Sequence, residues 1–485
     1  MVAASNLEFE YIQGFVLSPY KHLPVSCYVF LQMAESTSAR SWLQEIVPQV
    51  LSAARWSSRA DGTLIKPETV LNIAFTAPAL DLLNIQAEGF LTEFREGIAP
   101  PTPGNPAQLP ARSRRLGDTG PSDPANWEFG GVKNKPIHFM LLLFAADQPA
   151  LKELVQRQRA NWERFGLTQL AEEYSYRPAH GREPFGFKDG LSQPGLAGLN
   201  TKDEEMGAGA ETIATGEFIQ GYYNEYNYLP PVSSEPKLSR NGTYLVYRKL
   251  EQDITTFWNF VYAAAANDSK MADYIAAKFV GRWRSGAPLT LSPEHDNPAL
   301  AADPKRNNTF KFVANDDKAG YGCPVGSHIR RTNPRDSLMP GTDESTTAVR
   351  RHRIIRRGRV YGPEYPEDVV EYLNRIKRQN SADKFVADTE QPRGIAFIAI
   401  NTDIKRQFEF IQQTWVNDPK FDGLYDNKDP LLGSNEEGVS STMTIQRKPL
   451  RTQIENLPRF VTVRAGGYFY MPGMSGLRFI AGLGS

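Results

Sequence analysis

Four segments of the chain share one pattern of apolar and polar positions. Each starts with a run of apolar and β-branched residues, passes through a polar break, and continues with apolar residues about 3.6 positions apart. The runs start at Val25, Ile137, Gly242 and Gly394. Each break supplies Ser, Thr, Asp or Asn, the residue types that accept hydrogen bonds from the first amides of a helix. The pattern therefore predicts four strand–helix units.

Two of these units fall in the first half of the chain and two in the second. A repeated unit of this kind is typical of a split βαβ, or ferredoxin-like, domain with an antiparallel sheet and helices on one face. We therefore predict an α+β fold made of two ferredoxin-like halves. The predicted N-terminal half is residues 1–235, and the predicted C-terminal half is residues 236–485.

Composition narrows the classes of function. The chain of 485 residues carries 55 Lys and Arg against 55 Asp and Glu, so bulk charge predicts neither nucleic-acid nor membrane binding. Its two cysteines, Cys27 and Cys323, lie far apart in sequence and exclude a disulfide framework and a cysteine-based zinc site. The longest apolar run, HFMLLLFAA, is too short to cross a bilayer.

Location and assembly are weakly constrained by the sequence. The first residues, MVAASNLEFEYIQGF, lack the basic region and the long apolar region of a secretory signal, which favours a cytoplasmic protein. Secretion after removal of a preceding leader is the alternative. The oligomeric state is not determined, and a homodimer is compatible with the exposed sheet edges of such folds.

The stretch GFKDGLSQPG, residues 186–195, contains a single carboxylate, Asp189. Asp-Gly is a common turn dipeptide, because Asp bonds its own backbone and Gly tolerates positive φ. These ten residues alone therefore favour a turn. A chemical role for Asp189 is the alternative, and it requires further residues that complete a site.

One of the six histidines, His328, follows small residues and precedes several arginines in YGCPVGSHIRRTNPRD. No second His, Asp or Glu stands at zinc-site spacing, so the sequence does not predict a metal cage built by protein alone. A haem needs only one imidazole, because the porphyrin fills four iron positions. Its propionates pair well with guanidinium groups. A histidine followed by Arg330 and Arg335 is therefore a coherent, although nonspecific, pattern for a haem edge.

Several longer motifs resemble those of dye-decolourising peroxidases. They include GFKDG with LSQP, GEFIQGYYNE, NGTYLVYRKL, VGRWRSGAPL, HIRRTNPR, IIRRGRVYGPE and FVTVRAGGYFYMPG. The resemblance covers nearly the whole chain, and the large insertions make it similar to the longer branch of fungal and some bacterial members. It implies a haem peroxidase that binds one haem b per chain between two ferredoxin-like halves.

The resemblance implies roles for individual residues. Asp189 matches the distal acid–base carboxylate of the family's Gly-x-x-Asp-Gly motif, and His328 matches the proximal iron ligand. Arg356, the first arginine of RRG, matches the distal arginine that stabilises developing negative charge. Arg353 and Arg357 are close enough in sequence to remain alternatives for that arginine.

Further residues are implied to surround the cofactor. Ile395 and Phe397 fall where the family places apolar residues over the distal face, although a Leu is more usual at the first position. Asp429, in KDPLLG, matches the carboxylate bonded to the proximal imidazole. Arg330 and Arg335 are the arginines predicted to bind the haem.

Two aromatic residues are candidates for carrying electrons from the surface to a buried haem. Tyr361 in RVYGPE and Trp415 in QQTWVN are similar to positions proposed for that role in the family. A purely structural position is the alternative, because Trp415 lies at helical spacing from Phe408 and Ile411. The sequence does not distinguish the two roles.

The implied activity is the reduction of hydrogen peroxide coupled to one-electron oxidation of aromatic, dye-like or phenolic substrates. Neither a nucleic acid nor a membrane is an expected partner, and the physiological reductant is not determined. Two alternatives stay open. One is a haem-handling protein that delivers haem or releases iron without peroxidase turnover, and the other is a duplicated ferredoxin-like binding module without a cofactor.

Overall fold

The computed structural model describes residues 6–483 except 55, 57–63, 86–87, 101–110, 200–210, 367, 380–381, 387–390 and 437–440. The strands are β1 Val25–Gln32, β2 Thr69–Phe75, β3 Phe139–Ala145, β4 Thr168–Tyr176, β5 Gly195–Leu196, β6 Thr212–Ile213, β7 Thr243–Gln252, β8 Ile355–Arg356, β9 Arg359–Tyr361, β10 Gly394–Asn401, β11 Met443–Ile445, β12 Thr452–Ile454 and β13 Val461–Met471. The α-helices are α1 Gly14–Leu17, α2 Ser36–Ile46, α3 Ala77–Leu82, α4 Thr92–Glu96, α5 Ala111–Leu116, α6 Gln148–Arg164, α7 Ile254–Ala264, α8 Ser269–Val280, α9 Pro298–Ala302, α10 His328–Thr332, α11 Thr342–Arg350, α12 Val369–Gln379 and α13 Met474–Ala481.

The main strands form two antiparallel arrays with the same topology. In the first half the spatial order is β2-β3-β1-β4, and in the second half it is β13-β7-β10-β9. When the four strands of each half are numbered 1 to 4 along the chain, the order is 4-1-3-2, read from β4 in the first half and from β13 in the second. A βαββαβ chain produces this order. The two ferredoxin-like halves predicted from the sequence are therefore confirmed.

The two arrays join at both edges. Tyr470 of β13 pairs with Phe75 of β2, and Tyr176 of β4 pairs with Val360 of β9. Because β7 pairs with both β13 and β10, the joined strands close into a barrel. Its interior is one apolar core to which strands of both halves contribute. The predicted boundary at residues 235 and 236 falls between β6 and β7, and it stays a prediction.

The four strand–helix units are confirmed. β1 leads to α2, β3 to α6 and β7 to α7, while β10 leads to two π-helical turns, Lys405–Glu409 and Ile411–Val416. Asp147 and Asp253 accept hydrogen bonds from the third residues of α6 and α7, as the polar breaks predicted. No helix within the described ranges is both long enough and apolar enough to cross a bilayer.

Candidate active site

A cavity of about 260 Å³ lies on the outer face of the C-terminal array. Alternate residues of β7, β10 and β13 form its floor, and one row across them is Val463, Leu250 and Ile395. The intervening residues of these strands face the barrel interior. The N-terminal half reaches the cavity through two segments, 116–118 and 183–192. The cavity is therefore built on one sheet and completed by loops of the other half, rather than enclosed between two sheets.

Asp189 is carried by a tight hairpin, residues 181–190. The amide of Glu183 donates to the carbonyl of Phe187 at 2.9 Å, and the amide of Asp189 donates to the carbonyl of Gly181 at 3.0 Å. Gly186 has a φ of +97°, and the position of an added Cβ would lie 2.6 Å from a methyl carbon of Val369. Both the backbone conformation and the close packing require glycine there. Asp189 is thus part of a turn, and that turn places it on the cavity wall.

Asp189 and Arg356 form the charged pair on this wall. Nη1 of Arg356 lies 3.3 Å from Oδ1 of Asp189, and the two side chains are 33% and 47% exposed. The same Oδ1 accepts the amide of Gly190 at 2.6 Å. Gln193 fixes the backbone of Arg356 from both sides, because its side chain accepts the Arg356 amide at 3.0 Å and donates to the Arg356 carbonyl at 2.9 Å.

Of the three arginines left as alternatives by the sequence, two line the cavity. Arg356 and Arg353 do so, whereas Arg357 does not. Arg357 donates instead to the carbonyls of Phe15, Val16 and Leu17. Neighbouring residues of a strand face opposite sides of the sheet, so Arg356 and Arg357 point away from each other. Only Arg356 among the three contacts Asp189 within the described residues.

His328 opens the short helix α10 and lines the cavity from another side. Its Nδ1 lies 2.9 Å from Oδ2 of Asp429. Oδ1 of Asp429 accepts the amides of Leu431 and Leu432, each at 2.9 Å. The Asp429 side chain is fully buried, while the His328 side chain is 22% exposed. The carboxylate therefore orients the imidazole from behind.

The charge state of Asp429 follows from its surroundings. Burial acts to raise its pKa, but the charge and hydrogen bond of His328, the amide of Leu432 and the charge of Arg331 together lower the pKa below its ordinary value. The carboxylate is therefore ionised and accepts the proton on Nδ1 of His328. Nε2 is then the nitrogen available to a metal ion.

Ile395 and Phe397 lie where they were expected, on the cavity floor. Both belong to β10, and both are partly exposed, whereas their neighbour Ala396 is buried toward the barrel interior. This alternation follows from the side-chain period of two in a strand. Phe408, on the π-helical turn that follows β10, extends the apolar surface of the cavity.

Arg330 and Arg335, predicted to bind the haem, do not line the cavity. Arg330 is fully buried and donates to the carbonyls of Asp317, Cys323 and Lys318. Arg335 donates to the carbonyls of Asn308 and Phe310 at 2.8 and 2.6 Å. Both guanidinium groups hold loop backbone together, although Nε of Arg330 is buried without a hydrogen-bond partner among the described residues. Haem binding by Arg330 or Arg335 stays a prediction.

Four other arginines line the cavity and keep a buried N–H group without a hydrogen-bond partner in the described part of the chain. They are Arg248, Arg282, Arg353 and Arg459. Burial lowers the pKa of Arg282 and Arg353 each to about 10, so both stay cationic at neutral pH. Arg248 pairs with Asp118 and Arg459 with Glu436, whereas no ion pair of Arg282 or Arg353 occurs among the described residues. Buried cations without an ion pair are costly unless an anion compensates them. The cavity is therefore suited to a ligand that is largely apolar and carries carboxylates.

Tyr361 and Trp415 are both buried, at 5% and 4% exposure. The Trp415 ring packs edge-on against His352 and Phe410, with both pairs of ring centroids 5.3 Å apart. These positions are what the structural alternative predicts. Transfer of electrons through either residue stays a prediction.

The structure adds residues that sequence reasoning missed. Glu183, Arg282 and His352 line the cavity, and Gln193 holds Arg356 in place. Gln193 and Arg282 lie within the motifs LSQP and VGRWRSGAPL, but the motifs alone assign them no role, because their positions in the site depend on contacts between distant segments. Within the described ranges, no cluster of three or more His, Cys, Asp or Glu side chains could hold a metal ion.

Curated relatives match nearly the full chain, although no protein-family model matches it. A dye-decolourising peroxidase of Exidia glandulosa is 30% identical, covering 98% of this chain and 87% of that protein. A dye-decolourising peroxidase of Auricularia auricula-judae is 29% identical, with 98% of this chain and 87% of that protein covered. A multifunctional dye peroxidase of an Amycolatopsis species is 28% identical over 91% of this chain and 86% of that protein.

Solved structures of such enzymes have the same fold. A dye-decolourising peroxidase in complex with 2,6-dimethoxyphenol superimposes with a TM-score of 0.77 at 25% identity, covering 98% of this chain and all of that chain. The Auricularia auricula-judae peroxidase in complex with imidazole gives a TM-score of 0.78 at 27% identity, with the same coverage. Fold and sequence similarity therefore extend over the same residues.

We predict that the free energy of unfolding depends on pH through His352, whose side chain is partly buried. Burial lowers its pKa from 6.5 to about 4. As the pH falls, the unfolded chain binds this proton first, so stability present above pH 6.5 is lost between about 6.5 and 4. The loss is up to about 3 kcal/mol. His352→Asn, which retains a side-chain amide for the carbonyl of Arg406, should flatten the curve of unfolding free energy against pH.

Urea unfolding at matched haem content measures this effect. His295→Asn is the control, because His295 is exposed, and it should leave the curve unchanged. The prediction would be wrong if the wild-type and His352→Asn curves of unfolding free energy against pH were parallel between about pH 6.5 and 4.

Proposed function

Because this chain belongs to the dye-decolourising peroxidase family, we propose that Asp189, Arg356 and His328 carry its peroxidase activity around one haem b per chain. The observation that carries the proposal is that these three residues line one cavity. Asp189 lies more than 100 positions from both His328 and Arg356 in the sequence. The activity itself is that of a peroxidase that oxidises aromatic compounds.

The residues of the cavity fit a haem. Nε2 of His328 is the ligand atom for iron, and Asp429 increases the electron density on the imidazole. The unpartnered N–H groups of Arg282 and Arg353 suit the two propionates, and Ile395 contributes to an apolar surface for the macrocycle. Bound haem supplies the redox chemistry, which is two-electron reduction of peroxide and one-electron oxidation of reductants.

Asp189 moves the proton that peroxide cleavage requires. Its Oδ1 is occupied by the amide of Gly190 and by Arg356. Oδ2 accepts no hydrogen bond from the described residues, so it is the oxygen that takes a proton from one peroxide oxygen. It returns that proton to the other oxygen, which leaves as water. A carboxylate can perform both transfers because it exists in two stable protonation states.

Arg356 stabilises the negative charge that develops as the O–O bond breaks. A guanidinium is charged at any working pH and offers donors in a fixed plane. Its attachment to Gln193 holds the backbone still, so the charge needs no reorganisation during the reaction. Arg353 lines the same cavity but has no ion pair with Asp189 among the described residues, and its buried Nε–H has no partner, so we assign it to anion binding instead.

The reducing substrates are proposed to be phenolic or other aromatic compounds. A structural relative has been solved with 2,6-dimethoxyphenol, and a curated relative is named a multifunctional dye peroxidase. Asp189 and Lys188 are exposed at the cavity, so small phenols have access to its polar end. Larger dyes would require transfer through protein, for which Tyr361 and Trp415 remain the candidates.

Replacing Asp189 or Arg356 tests the assignment. Asp189→Asn should lower kcat/KM for hydrogen peroxide by about 100- to 10,000-fold, because the base is lost. Arg356→Leu should lower it by about 100- to 1,000-fold, because the charge is lost. Both proteins should retain haem at wild-type stoichiometry, measured by the pyridine haemochrome method.

Arg464→Gln is the matched control. This substitution removes one positive charge, as Arg356→Leu does, but Arg464 pairs with Glu251 and does not line the cavity. Its kcat/KM should equal the wild-type value. Full haem content with undiminished turnover in Asp189→Asn and Arg356→Leu would instead favour a haem-handling protein.

The identity of the base predicts an acidic pH optimum. Aspartate side chains ionise about 2.6 pH units below histidine side chains, so an aspartate remains a proton acceptor in mild acid. Initial rates of 2,6-dimethoxyphenol oxidation should peak below pH 6. A rate that rises steadily above neutrality would contradict Asp189 as the base.

Removing the proposed iron ligand tests the cofactor. His328→Ala should purify with a weakened or shifted Soret band, and added imidazole should restore the wild-type spectrum by filling the space of the lost side chain. His295→Ala, at an exposed histidine, should show the wild-type spectrum. A wild-type protein without a Soret band, after expression with added haem precursor, would exclude the cofactor.

A further inference from the structure

Glu183 is a cavity-lining carboxylate for which the proposed reaction has no use. Its Oε1 accepts the amide of Phe187 at 2.8 Å, and its Oε2 accepts the amide of Phe185 at 2.9 Å. Oε2 also accepts Nε2 of Gln252, on the neighbouring strand β7, at 2.7 Å. The Glu183 side chain therefore connects residues of the hairpin turn by hydrogen bonds, and it also connects the turn to strand β7 in the cavity floor.

The turn held by Glu183 is the one that carries Asp189. Phe185 and Phe187 are buried at 2% and 4% exposure, and the Phe185 ring lies 4.5 Å from the Phe257 ring of α7. These rings anchor the turn by packing, while Glu183 satisfies the two amides that the packing buries. Without the carboxylate, both amides would be buried and unpaired, which is costly.

Asp189 depends on this turn for its position. Its carboxylate contacts only the adjacent amide of Gly190 and the guanidinium group of Arg356 among the described residues. Its backbone is held by the carbonyl of Gly181, on the opposite side of the same hairpin. A shift of the turn therefore moves Asp189 directly, and no separate contact with the cavity wall opposes that shift.

The Glu183 carboxyl group is suited to hold the turn in either protonation state. Burial and, to a smaller extent, the charge of Asp189 raise its pKa to about 7, although the hydrogen bonds from Gln252 and the two turn amides act to lower the pKa. Its three hydrogen-bond donors in the described structure are all neutral. Oε1 of Gln252 is buried and has no partner, so a rotated Gln252 amide can accept the proton of a protonated Glu183.

We propose that Glu183 is a positioning residue for Asp189, acting through the hairpin amides and supported by Gln252. The proposal rests on the proposed function, because it assumes that Asp189 is the acid–base group. It places no demand on Glu183 for contact with peroxide or haem. Its effect should appear in the reaction with peroxide and not in the binding of the cofactor.

Kinetics and hydrogen exchange together test this role. Glu183→Leu should lower kcat/KM for hydrogen peroxide by about 10- to 100-fold, the effect of a displacement near 1 Å. Glu183→Gln retains one acceptor oxygen, so its loss should be smaller. In hydrogen–deuterium exchange, measured on apoprotein and on haem-loaded protein, the amides of Phe185 and Phe187 should lose protection in the Leu variant and keep part of it in the Gln variant.

A double-mutant cycle separates positioning from general destabilisation. In the Asp189→Asn background, Glu183→Leu should cause almost no further loss, because the group it positions is already gone. Glu251→Gln is the control, since Glu251 is a neighbouring carboxylate that pairs with Arg464 off the cavity. It should leave both kcat/KM and the two amides unchanged.

The outcomes are distinguishable. Effects of the two substitutions that simply multiply, or amides of Phe185 and Phe187 that stay protected in Glu183→Leu, would overturn the role of Glu183. A wild-type reaction rate in Asp189→Asn alone would overturn the proposed function instead. If Glu183→Leu does not fold, the isosteric Glu183→Gln carries the same cycle and the same exchange measurement.

Discussion

The alternation of side chains along β7, β10 and β13 is the constraint on which the rest of the structure depends. One face of these strands must complete a barrel core with the N-terminal array, and the other face is left to form a cavity floor. Tyr247 and Ile398 belong to the first face, while Leu250 and Ile395 belong to the second. The same strands therefore stabilise the fold and shape the site, so a shift of register by one residue would exchange the two faces.

The candidate catalytic residues lie on short segments around the sheet, and the sheet supports these segments. Asp189 stands on a hairpin of the first half, Arg356 ends the two-residue strand β8, and His328 begins a helix of five residues. Arg356 and His328 are each held by a side chain from elsewhere in the chain, Arg356 by Gln193 and His328 by Asp429. Four arginines on the cavity, Arg248, Arg282, Arg353 and Arg459, each keep a buried N–H group without a hydrogen-bond partner among the described residues. A bound ligand with acceptor groups can supply such partners.

Asp429, which is fully buried, and Glu183, which is half-buried, show that the surroundings of a carboxylate decide its charge state and its role. Asp429 is ionised, because a histidine, an arginine and backbone amides outweigh its burial. Glu183 has only neutral donors, so burial prevails and its pKa rises to about 7. The first group sets the tautomer of an imidazole, and the second holds a turn. The sequence resemblance pointed to Asp429, whereas nothing in the sequence pointed to Glu183.

The four strand–helix units and the ferredoxin-like duplication were predictable from the sequence, and the structure confirms them. The sequence also named Asp189, His328, Ile395 and Phe397 as candidate site residues, and the structure places all four on one cavity. Period and turn chemistry are local properties, and long motifs preserve them, so these predictions needed no contacts between distant residues. The tertiary structure alone decided that Arg356 faces the cavity while Arg357 faces away, and that Arg330 and Arg335 hold loops instead of lining the site. It also decided that Glu183 and Gln193 support the two charged groups. These choices depend on which face a two-residue strand presents and on pairings across up to 342 positions, and such pairings arise only when the whole chain packs.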